Sequence, residues 1–341
     1  MPADVAIYTE PPEDLVTLLR TRHLPHALPL LRRMQFTRFP GGITEHTRIL
    51  FASASGAGIV QDAPFAAAYL DFSRGPETEL WLYSSLERRP DALASASASA
   101  GTTADADAEK QGTENGSEKK REEDDEEAAA KCARLVLREV KRQRDLYQAT
   151  AKRRPRPESN SMVLAGTLSE TLRLALLNQG VVFPYHSVYD KWLFRLDSLP
   201  QVPSPLAAGM RWESFRRADI PLMLARTNIQ RTERTIVLLP SMAVYHDDGT
   251  PVAWALLGPD SSLSGLHCEE EYRGKGFAKA VAVKLLSERL KEYDDEGYCW
   301  ADVAPDNPGS QRVCKSLGGK VAWSISWSKI DLDKSFPDQQ I

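Results

Sequence analysis

Cysteine is scarce: four among 341 residues, at Cys132, Cys268, Cys299 and Cys314, with no CxxC pair and no Cys/His cluster. That scatter offers no zinc site, so no metal is expected, and it argues against a secreted disulfide framework. Long apolar runs are lacking too. The longest, around Phe65 to Phe72 and Leu172 to Phe183, are interrupted by polar residues and fall short of the roughly 18–20 residues that span a bilayer. Met1 to Tyr8 show no basic segment followed by an apolar one, so no secretory signal is read. Neither sign of charge dominates, the formal net charge being −4. Neither nucleic acid nor a membrane surface is therefore expected as partner. A reducing compartment fits best, with the cytoplasm as default and the nucleus left open.

What is present is ample apolar material, 42% of residues, for a sizeable core. One stretch departs from this. Ala-Ser repeats from Ala92 to Ala100 lead into a charged run from Lys119 to Glu127. With almost no large apolar side chains, burial cannot offset the entropy of ordering it. Residues 91–127 are expected to be a disordered insertion whose last part feeds a helix. It divides an N-terminal half, residues 1–90 plus 128–200. A Pro-rich linker (Pro200 to Pro205) separates that half from a C-terminal domain, residues 206–331, followed by a tail, 332–341.

Helical apolar spacing marks Pro12 to Arg22, Leu24 to Gln35, Ala128 to Tyr147 and Leu168 to Asn178, with Gly180 just past the last. Strands are read at Thr47 to Ala52, Pro64 to Phe72, Thr78 to Ser84, Ser161 to Ala165 and Val188 to Leu196. In the C-terminal part, strands are expected at Met210 to Ser214, Arg234 to Tyr245, Pro251 to Leu257, Ser262 to Cys268, Tyr298 to Val303 and Val321 to Ile330. Helices are expected at Arg217 to Arg226, Gly276 to Glu292 and Asn307 to Leu317. Asp248-Gly249 marks a hairpin. The implied fold class is α/β with a mixed, mostly antiparallel sheet. Both halves read as three strands, a long helix, a strand, a helix and a strand, which suggests a tandem of related modules.

The run Arg273-Gly274-Lys275-Gly276-Phe277-Ala278 joins a strand to a helix. Small residues there let the backbone approach a ligand, and N–H groups at the helix start favour an anion such as a pyrophosphate. It is not a Walker A loop, because Lys275 is followed by Gly276. Nor is it a dinucleotide fingerprint, which needs three spaced glycines after a parallel strand.

With Glu271-Tyr272-Arg273-Gly274-Lys275-Gly276, the segment Asp302 to Ser310, the stretch Val313 to Gly318 and the hairpin strand Pro251 to Trp254, the chain resembles the GNAT acyltransferase superfamily. Within it, the resemblance is to the glycine N-acyltransferase-like branch, over roughly Met210 to Ile330. That resemblance implies acetyl-CoA or another acyl-CoA as co-substrate and transfer to the amine of a small molecule or amino acid. The backbone of Leu266, His267 and Cys268 would pair with the pantetheine arm. Amides of Arg273, Gly274, Lys275, Gly276, Phe277 and Ala278 would hold the pyrophosphate, and Asn307 and Ser310 would line the opposite side. The splayed strands bearing Leu266 and Trp300 would open the thioester slot; the Trp300 ring itself reads as sheet core or as a border of that slot.

The catalytic positions depart from the pattern. The branch's general base is a Glu, and the matching position, eleven residues before Arg273, is Ser262. Ser262 could orient a water, with Asp260, His267 or Asp302 as a more distant base. The usual Tyr acid matches Cys314, and the terminal Leu-Gly-Phe becomes Leu317-Gly318-Gly319. Two other classes stay open: an acyl-CoA-binding protein without turnover, and a scaffold docking through its acidic insertion.

Overall fold

The computed structural model describes residues 5–56, 58–60, 62–88, 114–150, 161–202, 206–227, 229–294 and 296–337. The N-terminal half runs β1 (Ala6–Tyr8), α1 (Glu13–Arg22), α2 (Leu28–Gln35), β2 (Arg48–Ser53), β3 (Phe65–Leu70), β4 (Leu80–Ser84), α3 (Glu114–Thr150), β5 (Met162–Ser169), α4 (Glu170–Asn178) and β6 (Val182–Arg195). The C-terminal half runs β7 (Met210–Glu213), α5 (Ile220–Ala225), α6 (Glu233–Ile236), β8 (Ser241–His246), β9 (Pro251–Leu257), β10 (Leu263–Cys268), α7 (Phe277–Arg289), β11 (Tyr298–Val303), α8 (Pro308–Ser316), β12 (Lys320–Asp331) and α9 (Leu332–Ser335).

Alternate residues of β2 explain why the first sheet has near-continuous apolar strands. Ile49 and Phe51 pack against Leu15, Leu19, Leu31 and Met34 of α1 and α2. Leu50 and Ala52 pack on the other face against Val136, Leu137 and Val140 of α3. A sheet covered on both sides has no polar face to display. A separate core joins α7 to β8, β9 and β11 through Val281, Leu285, Leu286, Val244, Trp254 and Cys299.

The strand order couples the halves. Eight strands run β1-β2-β3-β4-β5-β12-β6-β11, and four run β10-β9-β8-β7. The last strand of each half has thus crossed over. β12 pairs antiparallel with β5, Ile330 facing Val163, and β6 pairs with β11, Leu193 facing Trp300. β6 and β12 also pair with each other over most of their length. Between β4 and β5 the sheet splays, with one parallel pair, Leu80 with Ala165. Between β10 and β11 no ladder forms, and the sheet divides there.

Several expectations change. The strand expected from Arg234 begins only at Ser241, after Pro240, which has no N–H to give a ladder; Glu233 to Ile236 is one helical turn instead. β1 carries no apolar alternation and was not foreseen. Residues 114–127, assigned to the insertion, form the start of α3; the rest of the insertion, 91–113, lies outside the described residues. Within the segment read as a tail, Leu332 and Phe336 are buried in the N-terminal core, while residues 338–341 lie outside the described ones.

Candidate functional site

The loop after β10 is built for close approach. Gly274 and Gly276 have φ of +77° and +87°, a region where a side chain costs backbone strain. A Cβ at either position would meet nothing within 4 Å, so the loop faces open space. Gly276 is the N-cap of α7 and offers no side-chain cap. The amides of Phe277, Ala278 and Lys279 therefore lack intrahelical acceptors and remain available to an anion. Arg273 Nε donates to the Cys268 carbonyl at 3.2 Å, which ties the loop to the end of β10.

β10 is bulged beside this loop. Ser264 faces Leu256 and His267 faces Trp254, so Gly265 and Leu266 oppose a single residue of β9. A bulge leaves main-chain groups outside the ladder. Together with the gap to β11, this produces an unpaired strand edge at Leu266 to Cys268, next to the glycine loop.

At the start of β10, Ser262, Leu263 and Ser264 line a cavity of about 650 Å³ to which both halves contribute. Its wall includes Trp81 and Tyr189 from the N-terminal half and Asp260, Ser262, Ser264 and Asp302 from the C-terminal half. The turn from β9 into β10 shapes its floor, with Ser261 held at a φ of +62°. Asp260 is 2% exposed, and its carboxylate is fully engaged. It accepts from Ser262 Oγ at 2.7 Å, from Ser262 N at 3.2 Å, and from Trp81 Nε1 at 3.0 Å across the junction of the halves.

Asp302 forms a buried ion pair with Lys191 Nζ at 2.7 Å. Lys191 also donates to Thr167 Oγ1 at 2.5 Å and lies 3.4 Å above the Trp300 ring. Burial raises the Asp302 carboxyl and lowers the Lys191 ammonium from their ordinary values, each toward its neutral form, while the pairing opposes both shifts.

The structure brings Ser262, Asp260 and Asp302 to one cavity but not His267 or Cys314. The His267 ring stacks on Trp254 at 4.6 Å, and burial lowers its pKa against the opposing pull of Glu269. The Cys314 thiol is 2% exposed in the C-terminal core, where burial pushes it up to about 12. Asn307 caps α8, its Oδ1 accepting from Ser310 N at 3.0 Å. Trp300 is fully buried, as the sheet-core alternative would have it.

Four residues near the cavity escaped the sequence reading: Arg33, Trp81, Lys191 and Arg231. A signal existed for the first. Leu28-Pro29-Leu30-Leu31-Arg32-Arg33-Met34 places two arginines in a helix with no polar face, and both are buried.

Among the described residues no group of His, Cys, Asp and Glu could hold a metal ion, and no helix is long and apolar enough to cross a membrane.

No curated protein matches the chain. Among solved structures, a Drosophila protein from a structural genomics programme is similar at a TM-score of 0.57 and 12% identity, covering 93% of this chain and 94% of that chain. A GCN5-related N-acetyltransferase from Sphaerobacter thermophilus aligns at a TM-score of 0.49 and 12% identity over 97% of each chain. A tandem GNAT protein from the clavulanic acid biosynthesis pathway aligns at 0.45 and 11%, covering 96% of this chain and 98% of that chain. At these identities a likeness speaks to fold alone. Residues 243–328 match the model of the FR47-like protein family. Residues 3–194 match the model described as the acyl-CoA N-acyltransferase verG N-terminal domain, which is more than half of the 341 residues, and the chain belongs to this acyl-CoA N-acyltransferase family.

Proposed function

We propose that this protein transfers an acyl group, most simply acetyl, from acyl-CoA to the amine of a small molecule. The observation that carries the reading is the combination at β10. A bulged, unpaired strand edge opens beside a helix N-terminus whose glycine loop faces empty space. A pantetheine arm can extend that edge by main-chain hydrogen bonds while its pyrophosphate meets the amides of Phe277, Ala278 and Lys279 at the helix start.

The acceptor enters from the opposite side, through the cavity between the halves. Ser262 alone is a poor base, but its hydroxyl donates to Asp260 at 2.7 Å. As the amine nitrogen attacks the thioester carbon, its proton passes to Ser262 Oγ while the Ser262 proton moves to Asp260. The C–S bond then breaks, and the departing thiolate takes up the proton held by this relay. The product side is an amide and free coenzyme A, so protons and electron pairs balance within the site. Four unpaired cysteines among the described residues fit a reducing compartment such as the cytoplasm.

Calorimetry with acetyl-CoA and a coenzyme A release assay over a panel of amines test the reading. Ser262→Ala and Asp260→Asn should each lower kcat on the order of 100-fold with acetyl-CoA affinity unchanged. Folded protein that binds no acetyl-CoA would sink the proposal. Binding without release of coenzyme A would leave only a carrier-binding protein.

A further inference from the structure

Three residues that line the cavity hold buried polar atoms that nothing in the protein satisfies. Arg33, 1% exposed on α2, is one of them, and its Nε and Nη1 lack any hydrogen-bond partner. Its guanidinium is oriented by the face of Tyr69, 3.6 Å from the ring centroid. Arg231 reaches in from the segment before α6. Its Nη2 donates to Ser264 Oγ at 2.6 Å, and its buried Nε has no partner. Thr235, 5% exposed, contributes a third unpartnered group, Oγ1. All three residues line the same cavity.

A buried guanidinium with unmade hydrogen bonds is costly, and the cost falls on the empty site. The nearest internal remedy is not in use: Asp260 spends its oxygens on Ser262 and Trp81 and hydrogen-bonds neither arginine. An anionic group delivered by a ligand would satisfy the arginines, and planar guanidinium forks suit a carboxylate.

The strand sets where that group would lie. Ser262, just before β10, and Ser264, on it, are two apart in sequence and both line the cavity, roughly 6–7 Å apart along the chain. One serves the proton relay and the other holds Arg231. An amine at Ser262 and a carboxylate at Arg231 and Arg33 can then belong to one small molecule. Trp81, Tyr189 and Trp327 form apolar wall beside them.

We infer that Arg33 and Arg231, with Thr235, form an anion pocket that selects acceptors carrying a carboxylate in addition to the amine. The inference rests on the transferase reading for the word acceptor, but the pocket can be tested without turnover.

Phenylalanine, phenylalanine amide, 2-phenylethylamine and O-phosphoethanolamine are titrated into the full-length protein by calorimetry in the presence of coenzyme A. The same compounds are assayed for coenzyme A release with acetyl-CoA. Phenylalanine should bind on the order of 10- to 100-fold more tightly than its amide. Arg231→Met and Thr235→Val should shrink that preference, while acetyl-CoA affinity and the thermal midpoint report that the protein remains folded. Arg33→Met should abolish the preference, and the two milder variants decide the matter if it does not fold.

A phosphoethanolamine preference over phenylalanine would keep the anion pocket and change the anion to phosphate. Equal binding of the acid and the amide would overturn the inference, as would an acid preference that survives both Arg231→Met and Thr235→Val. Acid-selective binding with no release of coenzyme A would instead remove the transferase reading and leave the pocket standing.

Discussion

Replacing Lys191 by Met tests whether the buried pair at the junction of the halves is structural. Lys191 and the Asp302 side chain are 1% and 7% exposed, and 2.7 Å separates Nζ from Oδ1. The Lys191 ammonium is the cation that pairs with the Asp302 carboxyl, and it opposes the shift that burial imposes. Removing it should cost about 3–5 kcal/mol of stability at neutral pH, the usual result of stranding a buried charge. Asp302→Asn should cost less, because the ammonium keeps Thr167 and the Trp300 ring. The double variant Lys191→Met with Asp302→Asn should recover most of the loss, since desolvation then acts on neutral groups. The pH dependence has a fixed sign. Burial raises the folded-state pKa of Asp302 above its unfolded value, so the folded state of Lys191→Met binds more protons in that window. Its stability should therefore increase as pH falls through the window and decrease as pH rises. Urea unfolding of the four proteins at pH 7.5 and 5.5 measures this. Additive losses, with a coupling below about 0.5 kcal/mol, would refute the account of the pair. The double variant should also retain coenzyme A release if the proton path is the one proposed, through Ser262 and Asp260. A folded but inactive double variant would overturn that assignment.

Gly276→Val should lower stability by about 1–2 kcal/mol from left-handed strain, and should weaken acetyl-CoA binding about tenfold as the loop moves to relieve it; urea unfolding and calorimetry check the two effects. Gly319→Ala should destabilise by about 1–3 kcal/mol in urea, since its Cβ would lie 2.3 Å from Phe194 Cε1. His23, buried against Tyr83 with its pKa lowered to about 4, mainly by desolvation, should make stability fall as pH drops from about 6.5 toward 4, and His23→Gln should flatten that slope. Glu87, raised to about 8, mainly by burial, has the opposite sign: stability should fall as pH rises from about 4.5 to 8, and Glu87→Gln should be the more stable protein at pH 9.

The elements that read clearly in the sequence are those whose pattern is local. α8 carries its Asn307 cap beside its own first turn, α7 shows its apolar spacing within 13 residues, and the glycine loop is contiguous. The strand exchange is not local. Nothing in β6 or β12 says which half each will join, because both neighbours offer an antiparallel ladder and an apolar face. One trace of the exchange does sit in the sequence. The resemblance calls for Leu-Gly-Phe where the chain has Leu317-Gly318-Gly319. In the structure the ring beside Gly319 is Phe194, supplied by β6 of the other half. The missing aromatic was thus a long-range substitution, invisible until the strands were placed.

The same reasoning applies to the missing base. At position 262 the sequence offers a hydroxyl where a carboxylate was expected, and by residue matching alone the catalytic position looks lost. The carboxylate stands two residues earlier, and its geometry depends on a contact no local pattern encodes, the Trp81 indole donating to Asp260 from the opposite half. That contact fixes one oxygen and leaves the other to Ser262. A one-carbon hydroxymethyl side chain set against a carboxylate held by a fused neighbour can reach the cavity as a single longer acid would. Trp81 is thereby proposed as a positioning residue. Trp81→Phe removes the indole N–H but keeps most of the ring, so it should lower kcat while leaving acetyl-CoA affinity intact. A folded Trp81→Phe enzyme with an unchanged kcat would show that the N-terminal half does not orient Asp260, and that its contribution to the site stops at the cavity wall.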